Sequence, residues 1–331
     1  MERFALAAAV VLGFALTAAL CSLFVPLRRV LERREQNQQP AQSEQPRPAP
    51  LRAPLWGGLC TAAGTVAAVG VGWLAACVGQ PELLGSEGRL MTRLLTALAG
   101  SLAFGAVGLA EDLARMRSPA ALGLRRDVRL LLEALAAAFV LLLLQAAGCL
   151  PRGLDVPGAG YVLLGSAVPF LWAVLMVALA ECARIAERDE GTVCGAAFVA
   201  MLALMMAEAG LGVPGLAVLP AALAGALVAL LLWAFPPARL GVGCCGSLLA
   251  AGAIGCIPLS LDMTSLTVPL ALPFWAAGGL LAAQLLGAKR TGKPLRCWVK
   301  KHKMSPETVF LCSFALSAVG YVLALALLRW C

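Results

Sequence analysis

The stretch Phe4–Val25, FALAAAVVLGFALTAALCSLFV, holds 22 residues and no charge. A helix needs about 20 apolar residues to cross the hydrocarbon layer of a bilayer, so this stretch reads as one span. Glu2 and Arg3 precede it, and Leu27, Arg28 and Arg29 follow it. It is longer than the apolar core of a signal peptide and has no convincing small-residue cleavage site, so a retained helix is expected. Nine further apolar runs follow, at approximately 55–79, 93–110, 128–149, 161–180, 191–209, 212–234, 241–259, 266–287 and 308–328.

The composition agrees. Of 331 residues, 61% are hydrophobic and 13% are charged, against roughly 25% charged in an average soluble domain. The mean hydropathy is +0.87. The expectation is an all-α, polytopic membrane protein of about ten transmembrane helices, forming a single integral membrane domain over residues 1–331. The runs are continuous and do not alternate, which excludes a β-barrel. The twelve Cys lie mostly inside apolar runs and show no paired CxxC spacing. That speaks against a zinc site or a disulfide framework, and for Cys as a small apolar residue.

Charge sets the topology. With ten spans and the first loop inside, the cytoplasmic loops fall at about 26–54, 111–127, 181–190, 235–241 and 288–307. These hold 20 Lys or Arg, whereas the opposite loops hold only Arg89 and Arg152. Such a bias marks the cytoplasmic side, so both termini are expected to be extracytoplasmic. The net charge of +8 therefore reads as topology and contact with anionic lipid, and no nucleic-acid partner is expected. Within the first loop, Gln36 to Pro54 is rich in Gln and Pro and reads as extended. Pro258, Pro269 and Pro273 interrupt the eighth and ninth runs, either as tolerated kinks or as breaks lining a site.

The polar residues gather in the cytoplasmic loops. Glu111 and Asp112 stand together at the end of the third run, where Arg115, Arg117, Arg125 or Arg126 could offset them. Paired carboxylates suit Mg²⁺ and phosphate chemistry; a solvated turn is the alternative. Glu181 to Gly191 packs Glu181, Glu187, Asp189 and Glu190 with Arg184 and Arg188, at spacings that also suit surface ion pairs. Phe235 to Ser247 carries Gly241, Gly243 and Gly246, whose amides could approach a phosphate. Lys289 to Glu307 holds seven cations and the only His, His302. Anionic-lipid attraction is the default reading of that loop.

In order and spacing these elements resemble the phospho-N-acetylmuramoyl-pentapeptide transferase family, the MraY type, within the polyprenyl-phosphate sugar-phosphate transferases. Pro54-Leu55-Trp56-Gly57-Gly58 is similar to its Pro-Thr-Met-Gly-Gly. Phe104 to Leu113 resembles its Gly-Phe-x-Asp-Asp element, and Gly123 to Leu131 its Gly-Leu-Ser-x-x-x-Lys-Leu stretch. Phe235 to Leu248 is similar to its Phe-x-Pro-Ala-x-Val-Phe-Met-Gly-Asp-Thr-Gly-Ser-Leu loop. Pro294-Leu295 stands where its Pro-Leu-His-His-His begins, and Glu307-Thr308-Val309 fits the start of its last helix. The resemblance implies a ten-helix protein of the bacterial cytoplasmic membrane. It also implies Mg²⁺ and transfer of phospho-MurNAc-pentapeptide from UDP to undecaprenyl phosphate, giving lipid I in peptidoglycan synthesis.

Carried over, it makes Glu111, Asp112, Glu187 and Glu190 the catalytic positions. Arg184, Arg188, Gly246, Ser247 and Lys300 become the substrate and phosphate positions, and Asp112 and Cys244 the metal positions. The departures fall on these residues. The first Asp of the pair is Glu111, the Asp of Met-Gly-Asp-Thr-Gly-Ser is Cys244 and its Thr is Cys245. The Asn and Asp of the Asn-x-x-Asn-x-x-Asp-Gly-x-Asp-Gly loop fall on Glu181, Arg184, Glu187 and Glu190. The three His fall on Arg296, Cys297 and Trp298, and the basic residue before the second helix has only Arg52 nearby. A thiol is a soft donor where Mg²⁺ wants hard oxygens.

The expectation is therefore a degenerate, MraY-like pseudoenzyme with impaired or lost catalysis, and with no cofactor if the site is dead. Its expected partners are undecaprenyl phosphate or a related polyprenyl lipid, cell-envelope proteins and a second copy in a homodimer. The alternatives are an active transferase with a rearranged Mg²⁺ site and a UDP-sugar substrate, or a lipid or solute transporter. The topology has a direct test. Alkaline phosphatase fused after Cys331 is expected to be active and green fluorescent protein fused there dark; the reverse pattern would invert the assignment.

Overall fold

The computed structural model describes residues 2–38, 56–79, 88–117, 123–151, 153–156, 160–163, 165, 167–187, 191–211, 215–236, 238–286 and 305–328. Ten helices of fifteen residues or more lie within them. They are α1 (Glu2–Gln38), α2 (Gly57–Gly79), α3 (Gly88–Arg117), α4 (Arg126–Ala146), α5 (Ala167–Ala186), α6 (Thr192–Gly210), α7 (Val218–Ala234), α8 (Gly243–Ser260), α9 (Leu272–Leu286) and α10 (Pro306–Leu328). Seven of them, α1, α2, α3, α5, α6, α8 and α10, are long and apolar enough to cross a membrane. Helix α7 is apolar but shorter. A two-stranded antiparallel hairpin, Gly153–Val156 against Gly160–Leu163, joins α4 to α5. The protein is all-α apart from this hairpin among the described residues.

Small residues let the helices approach closely. Ala5, Ala9, Gly13, Thr17 and Cys21 are all buried, and residues four apart share one face of a helix. Helix α2 answers with Cys60, Gly64, Ala68 and Gly72. A Cβ on Gly72 would lie 2.9 Å from the Cβ of Ala9, and one on Gly64 would strike Thr17 Oγ1. These pairs fix an antiparallel register in which Cys21 stands opposite Cys60, the two thiols facing each other. On its other flank Gly13 meets the backbone of Ala222 in α7. Apolar side chains gain little from leaving lipid for another helix, so close backbone packing carries such contacts.

Helix α8 is the axis of the bundle. Every residue from Gly243 to Ser260 is buried, and α2, α3, α5 and α6 pack around it. Its closest neighbour is α3, again through small residues. A Cβ on Gly100 would lie 2.6 Å from Cys256 Sγ, one on Gly252 would lie 3.1 Å from Ser101 Cα, and one on Gly108 would strike the carbonyl of Cys244. Thr17 Oγ1 and Thr65 Oγ1 are buried without a hydrogen bond, whereas Thr61 bonds back to the Gly57 carbonyl at 3.0 Å and Ser101 to the Ala97 carbonyl at 2.7 Å. That removes the cost of an unpaired polar group in an apolar setting.

Several boundaries differ from the sequence reading. Helix α1 runs on to Gln38, into the expected 26–54 loop, because Leu27 to Gln38 is rich in Leu, Arg, Glu and Gln and free of Pro. Helix α3 runs on to Arg117, so Glu111 and Asp112 sit on a helix and not in a 111–127 loop. Residues 161–163, read as the start of a span, belong to the hairpin. The 266–287 run divides at Ala271 into a short turn, Thr267–Leu270, and α9. Pro273 takes the second position of α9, where no amide hydrogen is needed. Pro258 lies in the last turn of α8, which is not broken at mid-length.

The α1–α2 register predicts that mild oxidation of the purified protein joins Cys21 to Cys60. Mass spectrometry of a denaturing digest should find that linked peptide pair, and Cys21→Ala should abolish it. Pairing of either thiol with another partner instead would refute the register.

Candidate functional site

The site begins where α8 starts. Gly243 adopts φ +72°, a conformation that glycine reaches without steric cost. The first amides of a helix have no partner within it. Here two of them point at a carboxylate carried by another helix. Asp112 Oδ1 accepts from the Cys244 amide at 3.1 Å, and Oδ2 accepts from the Cys245 amide at 2.9 Å. Asp112 is 1% exposed. It therefore caps α8 from α3, and the positive end of the helix dipole stabilises its charge. Ser247 Oγ, also buried, donates to the Cys244 carbonyl at 3.1 Å.

A chain of alternating charges leads away from this cap. Arg115 Nη2 lies 2.8 Å from Glu111 Oε1, and its Nη1 lies 3.8 Å from Asp112 Oδ1 and 3.9 Å from Glu187 Oε2. Arg129 of α4 reaches the same Glu111 Oε1 at 3.6 Å, Glu133 Oε1 at 3.9 Å and Glu181 Oε1 at 2.8 Å. Arg184 ends the chain on Glu181 Oε2 at 2.5 Å. Helices α3, α4 and α5 are thus tied by ion pairs, and α8 by its cap. Glu111 Oε2 and both oxygens of Glu133 are buried without a hydrogen bond. The chain of contacts is helical arithmetic in part, since Glu111–Arg115 and Arg129–Glu133 are four residues apart and Glu181–Arg184 three.

Of the positions the sequence singled out, the structure brings Glu111, Asp112, Glu187 and Cys244 to one end of the bundle. Arg184 is nearby, but it holds Glu181. Gly246 and Ser247 are buried in helix packing; a Cβ on Gly58 would strike the Gly246 amide, and Gly57 donates to the Gly241 carbonyl at 3.2 Å. These glycines serve the seat of α2 on α8. Glu190, Arg188, Lys300, His302, Arg52 and Arg296 to Trp298 lie outside the described residues. The sequence reading gave no site role to Arg129 or Glu133. Their four-residue spacing inside an apolar helix was the available signal. Glu208 of α6 is also buried, with Oε2 lacking a hydrogen bond.

The resemblance implies Mg²⁺, and the donors among the described residues do not fit it. Among the described residues no three His, Cys, Asp or Glu side chains gather closely enough to hold a metal ion. Glu111, Asp112 and Glu187 are instead spread around a guanidinium. Asp112 already accepts two backbone amides, and Cys244 is a fully buried thiol. Mg²⁺ needs hard oxygens in near-octahedral array.

Removing one member of a buried ion pair strands its partner, at a cost of about 3–5 kcal/mol. Arg129→Met is therefore expected to lower the thermal midpoint of the detergent-solubilised protein sharply. Glu133→Gln, which strands no cation because Arg129 keeps Glu111 and Glu181, is expected to be neutral or stabilising. Equal midpoints for Arg129→Met and the parent would show that the chain of pairs holds nothing together.

Comparison with known proteins places this geometry. The sequence model of glycosyl transferase family 4 matches residues 94–262, which hold Glu111, Asp112, Arg129, Glu181 and Cys244. The chain is 28% identical over 265 residues to the phospho-N-acetylmuramoyl-pentapeptide-transferase of Mycobacterium tuberculosis strain H37Rv, covering 72% of each. It is 30% identical over 212 residues to the protein of that name from Synechococcus sp. strain RCC307, covering 63% of this chain and 55% of the relative. It is 32% identical over 170 residues to that from Desulforudis audaxviator strain MP104C, covering 48% and 50%. With a matched region spanning half its length, and the capped α3–α8 pair inside that region, the chain belongs to glycosyl transferase family 4, among its phospho-N-acetylmuramoyl-pentapeptide-transferase (MraY) relatives, as a multi-pass protein of the bacterial cytoplasmic membrane.

Proposed function

We propose that this chain keeps the membrane architecture of a phospho-N-acetylmuramoyl-pentapeptide transferase and has lost, or nearly lost, phosphotransfer. In this reading it spans the membrane ten times with both termini outside. It binds undecaprenyl phosphate or a related polyprenyl lipid and serves as a scaffold for cell-envelope proteins, as a monomer or a homodimer. One observation carries the reading: the carboxylates at the family's catalytic positions are engaged by the protein itself. Asp112 caps α8, and Glu111 faces Arg115 and Arg129. Phosphoryl transfer is catalysed mainly by positioning and by cations that stabilise charge on the transferring group. Carboxylates already committed to internal cations cannot recruit another at little cost. At the position of a family Asp, Cys244 adds a thiol that is mostly protonated near neutral pH.

A second reading is an active transferase with a rearranged site. It is favoured by Glu111 Oε2, which is buried and accepts no hydrogen bond, and it would use a UDP-sugar as donor. Lipid I formation separates the two. Purified protein given UDP-MurNAc-pentapeptide, undecaprenyl phosphate and Mg²⁺ is expected to yield none. Cys244→Asp is not expected to restore it, because Glu111 and Asp112 stay paired. Turnover by the unsubstituted protein would overturn the proposal in favour of the second reading.

A further inference from the structure

Acidic positions to which the resemblance assigns catalysis and metal binding face a guanidinium here. We infer that the guanidinium of Arg115 is a built-in counter-cation, so that the polar end of the bundle is complete without a metal ion. The inference rests on the reading of Glu111, Asp112 and Cys244 as the family's site positions, and deepens it.

Geometry carries it. Three carboxylates on two chain segments face one guanidinium: Glu111 at 2.8 Å, Asp112 at 3.8 Å and Glu187 at 3.9 Å. Glu111 and Asp112 are almost wholly buried and Glu187 largely so. The stem of Arg115 is held from above by the turn at Gly123, which has φ +71°, and a Cβ there would lie 3.0 Å from Arg115 Cγ. The guanidinium is thus placed by its ion pairs, with the stem running beside Gly123. Arg suits this place because it keeps its charge in an apolar setting and offers five donors in a rigid fork. A divalent ion bound to the same oxygens would sit in contact range of that fixed positive charge. Repulsion at such distances is strong where water is scarce. Arg129 reinforces the arrangement from behind by sharing Glu111 Oε1. Both oxygens of Asp112, including the one that faces Arg115, also accept α8 amides.

The test uses Mn²⁺ as the probe, read by electron paramagnetic resonance on the full chain in detergent or nanodiscs. The unsubstituted protein is expected to bind no Mn²⁺ at millimolar concentration, and its thermal midpoint is expected to be the same in Mn²⁺ and in a chelator. Arg115→Ala removes the positive charge beside Glu111, Asp112 and Glu187 and is expected to tighten Mn²⁺ binding by roughly tenfold or more, while Arg115→Lys keeps a charge there and is expected to remain without bound Mn²⁺. Stoichiometric Mn²⁺ binding by the unsubstituted protein, abolished by Glu111→Gln or Glu187→Gln, would overturn the inference. So would a folded Arg115→Ala protein that still binds none. If Arg115→Ala does not fold, the unsubstituted protein decides alone, through its Mn²⁺ signal and its response to the chelator. The outcomes separate the two proposals. Mn²⁺ binding without lipid I formation defeats only the built-in cation, and lipid I formation without bound metal defeats only the loss of transfer.

Discussion

Asp112 reaches across from α3 to the open end of α8, and much of the structure follows from that contact. Helix α8 is buried along its whole length, so its first amides have no water to turn to. An uncapped helix end in such a place is costly. A carboxylate answers both needs at once: its oxygens take two amides, and its charge meets the positive end of the helix dipole. The contact also sets the height of α3 against α8, which Gly100, Gly108 and Gly252 then allow to close. Seen this way, the acid that family resemblance marks for metal is a structural part of the bundle axis.

One buried charge calls for others. Glu111 adjoins Asp112 in sequence and is equally buried. Two carboxylates side by side in a medium of low dielectric need cations nearby, and Arg115 and Arg129 supply them. Arg129 then needs Glu181, and Glu181 engages Arg184. Charged residues at membrane depth are expensive and pair with one another wherever the fold permits. The alternating chain is that rule carried through three helices. It also accommodates Glu111 where the resemblance implies an Asp. A lengthened carboxylate at Glu111 still reaches a guanidinium, whereas a thiol at Cys244 asks for nothing.

Membership in a family does not by itself carry that family's chemistry. Gly57 and Gly58 of α2 seat against Gly241 and Gly246. Those residues answer to packing, which any descendant of the fold must keep. Cys244, Arg184 and Glu111 stand where the resemblance implies substrate and metal contacts, and here Arg184 pairs with Glu181 and Glu111 with Arg115. Fold and function are carried by different residues, and one can drift while the other is held.

The membrane class, the all-α architecture, the family and the rough position of each apolar run were legible in the sequence, because length and hydropathy report burial in lipid directly. The gathering of Glu111, Asp112, Glu187 and Cys244 was legible too, through resemblance. Helix ends were less so: Gln38 and Arg117 mark helices that outrun their apolar cores, since helix propensity does not stop where hydropathy does. The small-residue stripe from Ala5 to Cys21 lay in plain view at four-residue spacing, yet its partner on α2 depends on which helices meet. What each charge does was decided only by tertiary structure. Nothing in the order of residues says that Asp112 would find two amides 132 and 133 positions away, or that Arg129 would reach Glu181 from another helix. Local sequence sets which groups are charged; the packing of helices in a medium without water sets which of them must meet.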